Sequence, residues 1–240
     1  MDFSAISSER EWKKQLLLIE TPFEMLEKNK NIAKKKLSQA LEMAISHNKA
    51  KKFGVLFSGG IDSTIIALFC KKLGLNFKCY TVGLKNSHDI LAAEKAASEL
   101  KLDLKTKTVG IDEFEETLKK VINIIKEPDV TKAGVGSVVY SASLLAKKDK
   151  ISALFSGLGS EELFTGYQRH ELAFSDYQSV HKECWNGLKK MWKRDIERDM
   201  LISKNLKTTL MLPFLDFNVI QIAMSIHPMH KISRDSNICL

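Results

Sequence analysis

The chain has 240 residues, 44% hydrophobic and 28% charged, an ordinary globular composition that excludes disorder for its body. Its 37 basic and 29 acidic residues leave a formal charge of +8, which favours an anionic partner such as a nucleotide, a nucleic acid or an acidic lipid. Twelve glycines and four prolines exclude collagen-like and proline-rich linker architectures, and no apolar stretch approaches the ~18 residues needed to cross a bilayer.

Residues 1–50 read as helix with polar interruptions. Ile32, Leu37, Leu41 and Ile45 recur at roughly helical spacing, with Lys30, Lys34, Lys35 and Lys36 on other faces. Those lysines read either as a solvated face or as a patch that touches RNA. No secretion-type leader opens the chain. Cys70, Cys79, Cys184 and Cys239 are far apart with no CxxC pair, which argues against a zinc ribbon and for buried thiols in a reducing, cytoplasmic setting.

From Phe53 the pattern changes. Phe53–Phe57 is a short apolar run that reads as a buried strand ending at Ser58-Gly59-Gly60, and the spacing of apolar residues predicts a helix over Ile61–Leu73. Phe77–Val82, Lys105–Val109 and Ser152–Phe155 read as further strands, with helices over Ile90–Leu100, Phe114–Ile125 and Val138–Ala146. This alternation predicts an α/β fold, a parallel twisted sheet flanked by helices, with functional loops at the carboxyl ends of the strands. The stretch from Tyr167 to about Lys207 reads as a helical C-terminal part, rich in Lys, Arg and Trp. Trp185 and Trp192, seven residues apart, are expected on one buried helix face.

Ser58-Gly59-Gly60-Ile61-Asp62-Ser63-Thr64 carries the most chemistry. It lies where a buried strand ends and a helix begins, so free backbone N–H groups and the positive helix end converge there. Glycines at 59 and 60 permit a tight turn and close approach of phosphate oxygens. Hydroxyls of Ser58, Ser63 and Thr64 add donors, and Asp62 is a candidate ligand for Mg2+. No GxxxxGK[ST] sequence occurs and no lysine follows this loop, which weighs against γ-phosphate transfer of the P-loop type. The bland alternative is an ordinary Ser/Gly turn that caps a helix.

The segment resembles the signature of the N-type ATP pyrophosphatases, the PP-loop family, and within it the synthetase domain of the asparagine synthetase family. Further segments match in order. Tyr80-Thr81-Val82-Gly83-Leu84, followed by Ser87-His88-Asp89-Ile90, is similar to the adenine-side strand and its loop. Ser156-Gly157-Leu158-Gly159-Ser160-Glu161-Glu162-Leu163-Phe164-Thr165-Gly166-Tyr167 resembles the second nucleotide motif, SGxG[SA]DExFxGY. Asp195-Ile196-Glu197-Arg198 stands where the family has a DxxR pair, and Pro213-Phe214-Leu215-Asp216 matches PFLD at the expected distance.

The resemblance implies an adenine nucleotide alpha hydrolase-like fold, with residues 1–50 as an N-terminal helical segment and 51–240 as the ATP pyrophosphatase domain. Leu56 and Val82 would flank adenine, with Gly83 beside them. Ser58, Gly59, Gly60, Asp62 and Ser63 would hold pyrophosphate, and Ser156 and Gly157 the ribose and α-phosphate. Asp62 and Glu161 would bind Mg2+. Glu162, Asp195 and Arg198 would line the acceptor side as the catalytic group, although the Asp195–Arg198 pair also reads as a helix-tying ion pair and Asp216 as a helix cap. The implied reaction is that of an ATP-dependent, AMP- and pyrophosphate-forming amide ligase. A carboxylate, aspartate in the family, is activated as an acyl-adenylate that ammonia attacks.

Several positions depart from the pattern. Leu158 stands where the family has Glu or Gln, Glu161 where it has Asp, and Thr209 and Met211 where it has Glu and Arg. Residue 2 is Asp2 rather than the cysteine of a glutaminase half, so ammonia is expected free or from a separate glutaminase partner. Neither Lys204 nor Lys231 matches the family's pyrophosphate-contacting lysine, so that segment is expected from another chain or as lost. Two alternative functions follow, a tRNA-modifying PP-loop enzyme or a degenerate nucleotide-binding protein, and a homodimer is a further expectation.

Overall fold

A computed structural model describes residues 6–47 and 50–232 of the chain. In chain order the elements are α1 (Glu9–Ile19), α2 (Lys30–Ser46), β1 (Phe53–Leu56), α3 (Ile61–Lys72), β2 (Phe77–Leu84), α4 (His88–Leu100), β3 (Leu104–Val109), α5 (Ile111–Ile125), α6 (Val130–Lys148) and β4 (Ala153–Phe155). They continue as α7 (Ser160–Leu163), α8 (Gln168–Leu172), α9 (Tyr177–Met191), a π-helical turn (Trp192–Ile196), α10 (Glu197–Leu206), β5 (Thr209–Met211) and α11 (Phe217–Met224). The chain divides into two compact units. One holds residues 50–157 and Arg194–Met211, the other residues 6–47, Leu158–Lys193 and 212–232.

The first unit is a five-stranded, wholly parallel sheet in the order β3-β2-β1-β4-β5, flanked by helices, as the alternation predicts. Parallel strands need a crossover between neighbours, and α3, α4 and the α5–α6 pair supply them. Against one face pack Ala142, Leu145 and Ala146 of α6, meeting Tyr80, Val82, Val109 and Leu154 from the strands. Burying this apolar surface, at roughly 25 cal/mol per Å2, is what holds the layers together. Beyond α6, Val121 and Ile125 of α5 meet Ile202 and Leu206 of α10. Gly136 is required here, because a β-carbon would stand 2.9 Å from Val121 and 3.0 Å from Ile202.

The sequence-based expectations fall short in places that have local causes. The helix expected over Val138–Ala146 begins at Val130, where the Asp129 side chain accepts from the Lys132 N–H; Gly134 and Gly136 had diluted the helical pattern. Strand β2 runs on to Leu84. β5 was not expected at all, for Thr-Leu-Met is too short to show a period, and its pairing with β4 supplies what local sequence does not. The expected helical part from Tyr167 onward is interrupted before Asp176, which caps α9.

The second unit is helical. Trp12 of α1 is fully buried, donates from Nε1 to the Leu188 carbonyl at 2.7 Å and packs on Phe217. Helix α2 buries Ala33, Ala40, Leu41 and Ile45, while Ile32, expected on that face, is exposed; alanines let α11 approach closely. Lys30, Lys34, Lys35 and Lys36 are all exposed. Trp185 and Trp192 are both buried. Asp216 caps α11 by accepting from the N–H groups of Asn218 and Val219. Cys70, Cys79 and Cys184 are buried, unpaired thiols, and burial pushes Cys70 and Cys79 up to about 12; Cys239 lies outside the described residues. No helix among the described residues is long and apolar enough to cross a membrane.

Candidate functional site

The sheet order reverses direction between β1 and β4. From β1 the chain winds outward to β2 and β3, then returns to place β4 on the other side. The carboxyl ends of β1 and β4 therefore form the topological switch point, the usual ligand position in such sheets. The loop that leaves β1 is Phe57–Gly60, and the loop that leaves β4 begins with Ser156-Gly157.

The first loop is tied into one shape. The Phe57 N–H donates to the Tyr80 carbonyl at 2.9 Å and prolongs the β1–β2 pairing. The Gly60 N–H donates to Ser58 Oγ at 3.2 Å, the Ser58 N–H donates to Ser63 Oγ at 3.3 Å, and Ser63 Oγ donates to the Gly60 carbonyl at 3.1 Å. Gly59 has φ +75°, and a β-carbon there would lie 2.5 Å from the Ala92 carbonyl group of α4. Gly59→Ala is therefore expected to cost about 1–3 kcal/mol in urea unfolding, since strained backbone and a backbone clash both act. A cost below measurement would mean that α4 does not press on this loop.

The second loop closes on the first. A β-carbon on Gly157 would stand 3.0 Å from Asp62 Cβ and 3.5 Å from the Ser63 nitrogen, so the β4 loop lies close against the first turn of α3, where a larger residue would press on Asp62. Gly60 carries no side chain to cap α3, and none does, whereas Ser87, Asp129 and Asp216 cap α4, α6 and α11. Thr64 Oγ1, in the same first turn, is buried without a hydrogen-bond partner. Uncapped amides at a positive helix end, beside two glycine cradles, fit phosphate oxygens.

Leu56 and Val82 lie on one sheet face, because Leu56 pairs with Tyr80 and side chains two apart share a face. Val82 is buried within the core against α6, and Leu56 is half-buried beside it. Gly83 is the last residue but one of β2, and a β-carbon there would stand 2.8 Å from Ser87 Oγ. Asp195 and Arg198 belong to this unit too. Helices α6 and α10 end together, Lys147 Nζ donating to the Leu206 carbonyl at 2.6 Å, and each leads into a strand. Their amino ends, and with them Asp195 and Arg198, consequently lie toward the carboxyl end of the sheet. A cavity of about 420 Å3 lined by Lys107, Glu113, Tyr140 and Lys147 involves none of the expected residues.

Arg198 has a partner that the sequence pattern did not single out. Its Nε donates to Asp199 Oδ1 at 2.7 Å, and its Nη1 donates to Asp195 Oδ1 at 3.4 Å. Asp195 in turn accepts from Arg194 Nε at 2.6 Å. Arg198 and Asp199 are 4% and 3% exposed. Burial raises the Asp199 carboxyl above its ordinary range against the pull of Arg198; for Arg198, burial opposes the charge but the two carboxylates hold it up. The guanidinium keeps the proton.

Glu161 and Glu162 belong to the helical unit. Glu161, in α7, is exposed, its stem covered by Gly166. Glu162 is 0% exposed and both its oxygens accept from Arg169 Nη2 at 2.5 Å. His170 is also buried, and burial holds it below its ordinary value. Among the described residues, no three His, Cys, Asp or Glu are grouped so as to hold a metal ion. A nucleotide-bound Mg2+ takes only one or two carboxylates, the rest being phosphate oxygens and water, so a single carboxylate in the position of Asp62, at the start of α3, would meet that requirement.

A family model described as asparagine synthase matches residues 33–179. A putative glutamine-hydrolyzing asparagine synthetase of Methanocaldococcus jannaschii is 36% identical over 221 residues, covering 89% of this chain and 40% of that protein. Asparagine synthetase B of Escherichia coli is 28% identical over 214 residues, covering 82% of this chain and 38% of the other. The chain thus spans about two fifths of the curated relatives it matches. Among solved structures, an NH3-dependent NAD synthetase of Campylobacter jejuni aligns at 18% identity and a TM-score of 0.44, covering 75% of this chain and 93% of that one, too loosely to bear on chemistry.

Proposed function

The chain belongs to the asparagine synthase family, and on that premise we propose that it binds ATP with Mg2+ and activates a carboxylate, aspartate first among candidates, for amide formation with ammonia. The observation that carries this reading is the closure of Gly157 against Asp62 and Ser63 at the uncapped start of α3. Both glycine loops of the family pattern meet at one helix end.

In this reading the β- and γ-phosphates lie on the Ser58–Gly60 backbone and the α3 amides, with the Ser58 hydroxyl as a further donor and Ser63, bonded to the Gly60 carbonyl, holding the loop in shape for them. Asp62 holds the Mg2+, whose contribution is to neutralise charge on the pyrophosphate as it leaves. Ser156 and Gly157 face the ribose and α-phosphate, and Leu56, Val82 and Gly83 border the base. The protein's work is orientation and charge stabilisation: the acceptor carboxylate oxygen is held in line with the α-phosphorus, the pyrophosphate departs opposite it, and ammonia then displaces AMP. Asp195 and Arg198 stand on the acceptor side. Glu161 is offered as a second carboxylate for the cation and Glu162 as an acceptor-side group. Action in the cytoplasm belongs to the same reading.

The test is to incubate the chain with ATP, Mg2+, ammonia and aspartate and to quantify AMP, pyrophosphate and asparagine. AMP formation that depends on aspartate supports the reading; ATP bound without any AMP under every carboxylate tried removes the ligase part of it. Asp62→Ala is expected to weaken Mg2+-dependent ATP binding at least about tenfold, the worth of one charge-assisted contact. Unchanged binding, measured by calorimetry, would reject Asp62 as the metal ligand.

A further inference from the structure

The acceptor side of that reading contains a residue that the family pattern does not name. Asp199 follows Arg198 directly, and neighbours in a helix do not ordinarily face one another. Here they do: Arg198 Nε donates to Asp199 Oδ1 at 2.7 Å, and both side chains are buried. The same guanidinium touches Asp195 only through one long contact of 3.4 Å from Nη1, and Nη2 has no hydrogen-bond partner among the described residues. On its other side the arginine stem is fixed by α6, where a β-carbon on Gly136 would stand 3.4 Å from Arg198 Cδ. Asp195 lies in the π-helical turn Trp192–Ile196, a geometry frequent at functional sites.

We propose that Asp199 is the positioning residue of the acceptor subsite: by taking the Nε donor it turns the Nη edge of Arg198 outward as an end-on fork for the acceptor's carboxylate. The inference rests on the amide-ligase reading and names the group that sets affinity for the acceptor. An arginine has five N–H donors in a rigid plane and recognises a carboxylate through two parallel donors. A guanidinium free to rotate about Nε would spend that fork in many directions. One pinned at Nε presents Nη1 and Nη2 together, and the acceptor adds to the Asp195 contact rather than replacing the Asp199 one. Asp195, itself held by Arg194 at 2.6 Å, then flanks the fork as a fixed acceptor for the ammonium group of an amino acid.

The experiment is steady-state AMP formation by the wild-type chain, Asp199→Asn, Asp199→Ala and Arg198→Lys, with aspartate and ATP varied in turn. Asp199→Asn keeps an oxygen able to accept from Nε, so it should raise the KM for aspartate less than Asp199→Ala. For Asp199→Ala and Arg198→Lys the rise should be about tenfold or more. The KM for ATP should stay within about twofold in all of them, since the phosphate cradle is built on other elements. An active wild type whose KM for aspartate is unmoved by Asp199→Asn and Asp199→Ala overturns the positioning role alone. Equal losses for ATP and aspartate mark general damage and overturn it as well. A wild type that forms no AMP with any carboxylate overturns the ligase reading, and the inference falls with it.

Discussion

Arg169→Ala is expected to lower the unfolding free energy by about 3 kcal/mol, the low end of the range for breaking a buried ion pair by removing one partner. The pair is asymmetric, and that sets the magnitude. Glu162 is wholly buried, whereas the Arg169 side chain is 34% exposed, so solvent already screens one member. Removing the arginine takes away the guanidinium from which both Glu162 oxygens accept, while His170 Nε2 stays 3.8 Å away and burial lowers the imidazole's affinity for a proton. Arg169 also reaches Glu183 at 3.3 Å and stacks on Tyr167, its guanidinium carbon 4.0 Å from the ring centroid. Nor can the helix above give way. Gly187 of α9 sits so close that a β-carbon there would overlap Glu162 Oε2. Urea unfolding gives the loss directly, and Arg169→Ala combined with Glu162→Gln should be less destabilised than Arg169→Ala alone. A loss under about 1 kcal/mol would place the pair among ordinary surface ion pairs.

How much of this was legible in the sequence follows element by element. The strand–turn–helix at Phe53–Lys72 was plain because an apolar run, two glycines and a helical period succeed one another without interruption. The register that places Gly157 on Asp62 was not, since it depends on β4 pairing with β1 across a long crossover. β5 was hidden for the same reason, three residues having no period of their own. The motif pattern gave Arg198 and Asp195 but not Asp199, because adjacency in a helix argues against contact and only the buried Nε bond reveals it. Glu162 stood in the motif as an acidic residue with no hint that it would be buried. The one available signal was Gly187, a glycine inside an otherwise helical stretch, which implies that something packs closely on that turn. Apolar burial was thus readable where local pattern decides it, as at Trp185 and Trp192, and the burial of charged groups such as Glu162 and Asp199 was not.

Lys231→Met is expected to do the opposite of the arginine change and stabilise the chain at pH 7 by about 2–3 kcal/mol. Lys231 is 2% exposed, and among the described residues its ammonium hydrogen-bonds to the Met224 thioether at 3.9 Å. Burial lowers it from the ordinary 10.5 to about 8, with the Cys184 thiol pulling the other way. The folded value lies below the unfolded one. Between pH 8 and 10.5 the unfolded chain therefore holds a proton that the folded chain has shed, and stability rises with pH across that window. Below pH 8 both states are charged and the folded chain carries the full burden, about 3 kcal/mol for a displacement of this size. Methionine has nearly the same length and no charge, so the advantage of the variant should be greatest at neutral pH and vanish toward pH 10.5. His181 supplies an independent check. It is held down to about 4, by burial first and by the Lys231 charge second, so its imidazole should titrate higher in Lys231→Met when followed by NMR. The His181 contribution has its own window: stability present above 6.5 is lost as pH falls toward 4, and the loss should begin at the same pH but end sooner in the variant. A variant less stable than the wild type at pH 7 would mean that the ammonium has an anionic partner, and that the interior of the helical unit tolerates this charge because it uses it.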